Sequence, residues 1–399
     1  MEIDLSVVIV TYRCLPFTRL CLQSLLWEKP SNQEVIIIDN NSGDDSLSII
    51  RNEFPTVKTI ENKKNVGFGA ACNQGIALAQ GRYLLMLNPD TVVPQNLSQR
   101  VTDFMDAHPG CGAMGVKMID GAGRFLRESK RGIPSVWRAF CHFSGLTALF
   151  PCSRFFSGYY LGHLSHQKTQ EVEVLSGAFM VLNREAIKKT GGFDERFFMY
   201  GEDIDLSYRI SRAGFKVMYN PEIIILHFKG ESTIKNKHYV KIFYSAMEQF
   251  QQKHVPQNNK VGFRLVKLFI TLIGWFAQLK YNYLVNSQPN TKLKLNHSEY
   301  SIIRNNAFIG KQKTCMLNQI ITPLESVEEL RKTSKANTCY ILSLSLLSPE
   351  EGLTCFRQLS EKKLHCGWID QTGSFLYIGR SAHKQTVVLP VDLQINHNC

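Results

Sequence analysis

Two short apolar runs, residues 5–10 (LSVVIV) and 35–38 (VIII), each break off at a polar cluster, with a segment of helical spacing between them. Runs this short and this rich in β-branched residues read as strands buried on both faces. Between them, residues 19–28 set Leu20, Leu22, Leu25 and Leu26 along one helix. The alternation continues: 47–54 reads as a helix, 58–61 as a short strand, 70–79 as a helix, 83–87 as a strand and 96–107 as a helix. Parallel neighbours need a crossover, so this order implies an α/β fold whose mostly parallel sheet has helices on both faces. Ligands of such sheets bind beyond the carboxyl ends of the strands. The polar clusters Thr11-Tyr12, Asp39 to Asp44 and Asn88 to Asp90 fall there.

Further on, 178–182 resumes a strand, 191–194 (GGFD) is a turn, 202–213 a helix, 223–226 a strand ending at His227, and 238–253 a helix. Residues 124–170 interrupt the pattern, being aromatic and basic without a clear period. A length of 399 residues suits two or three domains, which we set at 1–255, 256–299 and 300–399. The last reads as a small α/β unit, with a strand at 339–347, a helix at 349–361 and a strand at 366–369. The middle one contains residues 261–284, where Arg264, Lys267, Thr271, Gly274, Gln278 and Asn282 make one polar stripe on an otherwise apolar helix. Its apolar stretch falls short of the ~20 residues that a bilayer span needs. It either lies in a membrane interface or packs on protein. Lys267, Lys280, Trp275, Tyr281 and Tyr283, with a net charge of +12, favour an anionic membrane.

That charge suits polyanions: nucleotide diphosphates, acidic headgroups or nucleic acid. The 11 cysteines form no C-x-x-C pair and no zinc spacing, so reduced thiols of a cytosolic protein are expected. Residues 1–5 lack the basic start and apolar core of a signal peptide.

Asp39 ends a buried strand, where a carboxylate accepts from a base N–H or ribose hydroxyl, or closes an Asx turn. Residues 65–75 (NVGFGAACNQG) set glycines before a helix start, which lets backbone approach a diphosphate. This is no dinucleotide fingerprint, whose third glycine would fall at Cys72. Asp90, close to Asn88, suits a hard cation that bridges phosphates and takes one or two protein carboxylates; otherwise it caps a proline turn. Glu202, Asp203 and Asp205 open a helix after Phe197 to Gly201. They either cap its dipole or deliver a carboxylate into a partly apolar cleft, where its pKa rises toward that of a useful base. His227 is a packed residue or a metal ligand.

Taken in order, residues 6–12 (SVVIVTY), 38–44 (IDNNSGD), 65–75, 87–90 (LNPD), 191–195 (GGFDE) and 198–205 (FMYGEDID) resemble the family-2 glycosyltransferases of GT-A fold. The likeness is greatest to their rhamnosyltransferase-like branch and spans roughly residues 6–232. It implies a Rossmann-like sheet flanked by helices, with the donor site in 1–120 and the acceptor side in 121–255. It also implies an inverting, metal-dependent transfer of rhamnose or another hexose from a nucleotide diphosphate donor. The acceptor would be a hydroxyl of a cell-envelope saccharide or a lipid-linked one. Thr11 and Asp39 would hold the base and ribose, with Tyr12, Asn41, Asn65, Gly67, Phe68, Asn73 and Asn88 lining the donor site. Asp90 and His227 would hold Mg2+ or Mn2+. Asp203 would be the general base, supported by Glu202, and we place Trp137, Arg138 and Asp205 on the acceptor side. Asn88 stands where the family's metal motif usually has its first aspartate, and Arg13 where it usually has asparagine. The implied place is peripheral, on the inner face of the cytoplasmic membrane, with no nucleic-acid partner. Two other classes compete. A sugar nucleotidyltransferase would carry a glycine-rich basic signature after the first strand, which Thr11 to Pro16 lacks. A degenerate sugar-binding or assembly subunit would not need Asp90, Asp203 and His227 intact.

Overall fold

The computed structural model describes residues 2–28, 30–229 and 237–254, and beyond them 300–303, 321–324, 339–343, 348–361, 365–369, 375–378 and 387–390. Strand β1 (Leu5–Thr11) is buried along its whole length. Successive side chains alternate between the faces of a sheet. Leu5, Val7 and Ile9 therefore share one core with Leu22 and Leu25 of α1 (Leu15–Leu25) and with Val101 and Met105 of α4 (Leu97–Ala107). Val8 and Val10 share the other with Ala71 and Cys72 of α3 (Phe68–Leu78). Strand β2 (Gln33–Asp39) splits its Val35/Ile37 and Ile36/Ile38 in the same way. With both faces covered, neither strand can show a polar side, which is why both read as unbroken apolar runs.

The main sheet runs in the order β3 (Lys58–Glu61), β2, β1, β4 (Tyr83–Leu87), β8 (Phe179–Asn183), β6 (Cys111–Ile119), β9 (Lys216–His227) and β5 (Thr91–Val92). A short β7 (Gln170–Glu171) pairs on β9. The first four strands are parallel, as are β6 and β9. Strand β8 lies antiparallel between β4 and β6, and β5 antiparallel to β9. The expected mostly parallel sheet is thus completed by returning strands. Helix α2 (Ser46–Glu53) precedes β3, and α7 (Arg184–Thr190) and α8 (Glu202–Arg212) lie between β8 and β9.

Among the elements that differ from the sequence expectation, three show a physical reason. All nine residues of β6 are buried, but Gly112, Ala113 and Gly115 dilute its apolar signal and no strand was expected there. Strand β9 starts at Lys216 rather than 223; its register against β6 shifts around Pro221, which has no N–H to give the ladder. Helix α1 begins at Leu15, with Pro16 in the first turn, where a missing N–H is harmless.

Residues 124–169 hold a 3-10 turn at Arg127–Ser129 and the short helices α5 (Val136–Phe143) and α6 (Leu146–Leu149), joined by turns. Helix α9 (Lys237–His254) packs Ala246 and Phe250 against Phe197 and Ile204. A second sheet has the order β11 (Ile321–Leu324), β10 (Tyr300–Ile303), β12 (Cys339–Ser343), β13 (His365–Ile369), β14 (Phe375–Ile378) and β15 (Val387–Pro390). Helix α10 (Pro349–Glu361) buries Leu353 and Phe356. Residues 261–284 lie outside the described residues; no described helix is long and apolar enough to cross a membrane. Among the described cysteines, Cys14, Cys21, Cys72, Cys111, Cys141 and Cys152 are free thiols.

Candidate active site

The ends of β1 and β2 pair Thr11 with Asp39. Both side chains are turned to local work. The Thr11 hydroxyl is buried at 2.9 Å from that of Thr18, and Asp39 accepts from the Ser42 amide at 3.0 Å and from the Ser42 hydroxyl. Arg13, at φ +51°, donates its amide to Ser42 Oγ and its Nε to the Ser42 carbonyl, with its guanidinium over the Tyr12 ring. The Asx turn is therefore real, and Arg13 braces it. Asn41, at φ +70°, is exposed, whereas the buried Asn40 is the hub. Asn40 donates to Asn65 Oδ1 (3.0 Å) and accepts from Asn62 and from the Val66 amide.

This hub shapes the glycine loop. Gly67 caps α3 at φ +90°, and a Cβ there would lie 2.7 Å from the Phe198 carbonyl oxygen. That carbonyl accepts from the Phe68 amide at 2.9 Å. Only glycine permits this approach, which ties the loop to the segment leading into α8. Asn73 lies on α3, but its amide is spent on Phe193, accepting at 2.8 Å and donating at 2.9 Å.

The pairing of β5 with β9 sets Thr91 opposite His227, so Asp90 and His227 stand side by side. His227 Nε2 lies 3.3 Å from Asp90 Oδ1 and 3.5 Å from Asn88 Nδ2, and both Asp90 and His227 are buried. His227 Nδ1 finds no hydrogen-bond partner among the described residues. No group of three or more His, Cys, Asp or Glu that could hold a metal ion occurs among the described residues. A cation at Asp90 and His227 would therefore draw its other ligands from a bound anion or water.

Across the sheet, α8 opens at Gly201, φ +95°, with three acids in its first turn. Their surroundings differ. Glu202 is buried with its Oε2 unpartnered among the described residues; burial, aided by the charge of Asp203, pushes its pKa up to about 8. Asp203 accepts from the Ile204 amide at 2.8 Å, from the Gly177 amide at 3.1 Å and from the Arg131 guanidinium. Asp205 is fully buried; burial opposes its ionisation, but Lys253, His254 and Arg209 more than offset this and hold its pKa below the ordinary value. One dipeptide joins the two corners: the Gly177 amide donates to Asp203, and the Ala178 carbonyl accepts from the Asn88 amide at 2.9 Å. Phe68 borders the same spot, its ring edge 3.6 Å from where a Cβ on Gly177 would sit.

Trp137 is exposed on α5 and donates to the Phe155 carbonyl; Arg138 makes a two-pronged ion pair with Glu173. Sequence reasoning missed Arg131, Asn40 and Gly177. Asn40 sat beside residues already chosen, whereas Arg131 had no local signal at all, since its partner lies 72 residues on.

Comparison with known proteins now adds to this geometry. A family model described as glycosyl transferase family 2 matches residues 6–191, and one described as the N-terminal domain of galactosyltransferase matches residues 164–230. An N-acetylglucosaminyl-diphospho-decaprenol L-rhamnosyltransferase of Mycobacterium tuberculosis is 30% identical over 240 residues, which cover 57% of this chain and 77% of the relative. A poly-beta-1,6-N-acetyl-D-glucosamine synthase of Staphylococcus aureus is 26% identical over 207 residues, covering 50% of this chain and 44% of that one. Among solved structures, the mannosyltransferase PcManGT of Pyrobaculum calidifontis, in complex with GDP-Man and Mn2+, is similar at a TM-score of 0.44 and 16% identity. That match covers 72% of this chain and 75% of the other. The chain belongs to the family-2 glycosyltransferases. It is an enzyme that uses a nucleotide-sugar donor, within the rhamnosyltransferase-like branch.

Proposed function

We propose that the chain moves a hexosyl group, rhamnosyl first among the candidates, onto a hydroxyl of a lipid-linked or envelope saccharide. Configuration inverts at the anomeric carbon, and Mg2+ or Mn2+ is held by Asp90 and His227. The observation that carries this reading is the Gly177-Ala178 dipeptide, flanked by a candidate cation corner and an acid pair, with Phe68 of the glycine loop beside it. The mycobacterial relative, named for rhamnosyl transfer and a diphospho-decaprenol, supports the choice of sugar and acceptor class. Residues 1–255 form the catalytic unit in this reading, 256–299 a membrane-associated segment and 300–399 a separate unit. The chain then works peripherally on the inner face of the cytoplasmic membrane.

A cation fits the corner chemically. Nε2 and Oδ1 at 3.3 Å are close to the ~3 Å between adjacent ligands of an octahedral ion with ~2.1 Å bonds. When bound, it neutralises charge developing on the leaving diphosphate. Asp203 takes the proton of the acceptor hydroxyl as attack begins. Its Oδ1 keeps a lone pair beside the bond from Ile204. Burial favours the neutral form of Glu202, while Arg131 pairs with Asp203. The acceptor oxygen bonds to the anomeric carbon as the bond to the diphosphate breaks. A single displacement with one base inverts that carbon.

The test supplies UDP, dTDP and GDP sugars with a polyprenyl-diphosphate N-acetylglucosamine acceptor, in Mn2+ or in EDTA. Nucleotide release in Mn2+ but not EDTA, with an inverted anomer in the product by NMR, is the expected result. No consumption of any donor refutes the transfer, a retained anomer refutes the single displacement, and indifference to EDTA refutes the cation.

A further inference from the structure

Five of the seven exposed large apolar side chains among the described residues gather on the excursion that lies next to the acid pair. Trp137 and Phe140 on α5, Leu149 on α6, and Phe150 and Phe155 just after it are 40%, 42%, 71%, 49% and 63% exposed. They form one surface. Trp137 lies against Phe140 and Phe155, with ring centroids 5.7 and 4.8 Å apart, and Phe156 joins Phe150 to Phe155 at 5.1 Å from each. A contiguous aromatic patch held open to water marks an interaction surface.

The charge around it identifies the partner. Residues 124–170 carry seven Lys and Arg against one acid, a net +6 of the chain's +12. Three of these cations turn inward, Lys130 to the Leu161 and Leu164 carbonyls, Arg131 to Asp203 and Arg138 to Glu173. Arg124, Arg127, Arg154 and Lys168 are exposed, and Arg154 adjoins Phe155. Arg127 lies near enough to α5 to add to the effect of burial in lowering the pKa of His142. Exposed tryptophan and phenylalanine with cations such as Arg127 and Arg154 beside them are the side chains that settle at the boundary between headgroups and acyl chains of an anionic bilayer.

We infer that the face formed by α5, α6 and residues 150–156 is a seat for an anionic phospholipid bilayer. Arg131 and Ile133, just before α5, touch Asp203 and the core that holds Ile204. Docking by this face brings the base side of the cleft to the membrane surface, where a lipid-linked hydroxyl is presented. That consequence rests on the proposed function; the seat itself does not.

The test is co-sedimentation of the full chain with vesicles of phosphatidylcholine and phosphatidylglycerol, and with phosphatidylcholine alone. The wild type should sediment with the mixed vesicles, weakly with the neutral ones, and come off as salt rises. Leu149→Glu/Phe155→Glu alters the two most exposed positions and should lower partitioning about tenfold or more at unchanged Tm. Arg154→Glu/Lys168→Glu should lower it on mixed vesicles only. Wild-type and Leu149→Glu/Phe155→Glu chains sedimenting equally, or no sedimentation of the wild type, overturns the inference. So does a wild-type dimer that this pair splits while vesicle binding persists, since a second copy then owns the face. Donor hydrolysis, measured alongside, reads the proposed function separately: its absence from every chain leaves the vesicle result standing.

Discussion

Replacing Asp203 by asparagine separates the two things this residue does in the proposed mechanism. As general base it should supply ~10²–10⁴ in rate, so Asp203→Asn should retain at most about one hundredth of wild-type turnover. As partner of Arg131 it also holds a buried charge. The two side chains are only 14% and 13% exposed, and breaking such a pair costs about 3–5 kcal/mol because the survivor is left uncompensated. The lower end applies, because an amide oxygen at the Oδ2 position can still accept from Gly177 and Arg131, although its NH2 group then faces the Ile204 amide. About 3 kcal/mol corresponds to a fall in Tm of roughly 6–12 °C for a unit of this size. Arg131→Met/Asp203→Asn removes both charges and should recover most of that loss while turnover stays down. Thermal denaturation and nucleotide release, measured on wild type and both variants, give the two Tm shifts and two rate ratios needed. Turnover above about a tenth in Asp203→Asn puts the base elsewhere. An unchanged Tm in the single variant, or no recovery in the double, refutes the buried pair.

Other expectations follow from the same geometry. Asp90→Ala should abolish the gain in nucleoside diphosphate affinity that Mn2+ gives the wild type, read by calorimetry; equal affinities in both proteins remove Asp90 from the cation corner. Gly67→Ala forces a side chain into φ +90° and against the Phe198 carbonyl, so Tm and donor affinity should fall together; a variant as stable as wild type contradicts the close approach. Glu202 has a folded pKa of about 8 against an ordinary 4.5, so the folded state binds more protons between those values and stability falls as pH rises through that window. Glu202→Gln should flatten that part of a plot of Tm against pH, and parallel curves for the two proteins would contradict the buried, neutral acid.

How much of this was legible in the sequence depends on where each signal resides. Strands β1 and β2 announced themselves because burial on both faces leaves unbroken apolar runs, and their ends located the polar clusters. Strand β6 is just as buried, but small residues thin its signal, and Gly112 and Gly115 admit Phe215 and Leu175 from neighbouring elements that only the fold brings near. Within Asp39-Asn40-Asn41 the reading chose the two flanking residues. Asn41 turns outward at positive φ and leaves Asn40 as the buried hub, a consequence of backbone geometry that composition cannot carry. Asp90 was credible alone and His227 only in its company, and the short β5–β9 ladder supplied their juxtaposition. Arg131 stood in a stretch without period, and its link to Asp203 exists only in three dimensions.

The first turn of α8 shows why residue type alone does not assign a role. Glu202, Asp203 and Asp205 lie within four residues, yet one is buried with no ion pair among the described residues, one is matched by Arg131, and the third is surrounded by Arg209, Lys253 and His254. We placed Asp205 on the acceptor side; its contacts instead give it a tethering task, because Lys253 and His254 belong to α9, which packs on Phe197 and Ile204 next to the acid pair. Asp205→Ala should therefore lower Tm, by an amount reflecting the ~3–5 kcal/mol of a broken buried network. The sign of its pH dependence is opposite to that of Glu202. A carboxylate whose folded pKa is depressed contributes stability above its ordinary value of 3.8 and loses it as pH falls through the folded value. The gap in Tm between wild type and Asp205→Ala should be full at neutral pH and close only in strong acid. Turnover per folded molecule should stay within a few-fold of wild type below the variant's own Tm, since the side-chain partners of Asp205 are Arg209, Lys253 and His254 rather than Asp203 or the glycine loop. Loss of turnover at unchanged Tm would restore it to the acceptor side.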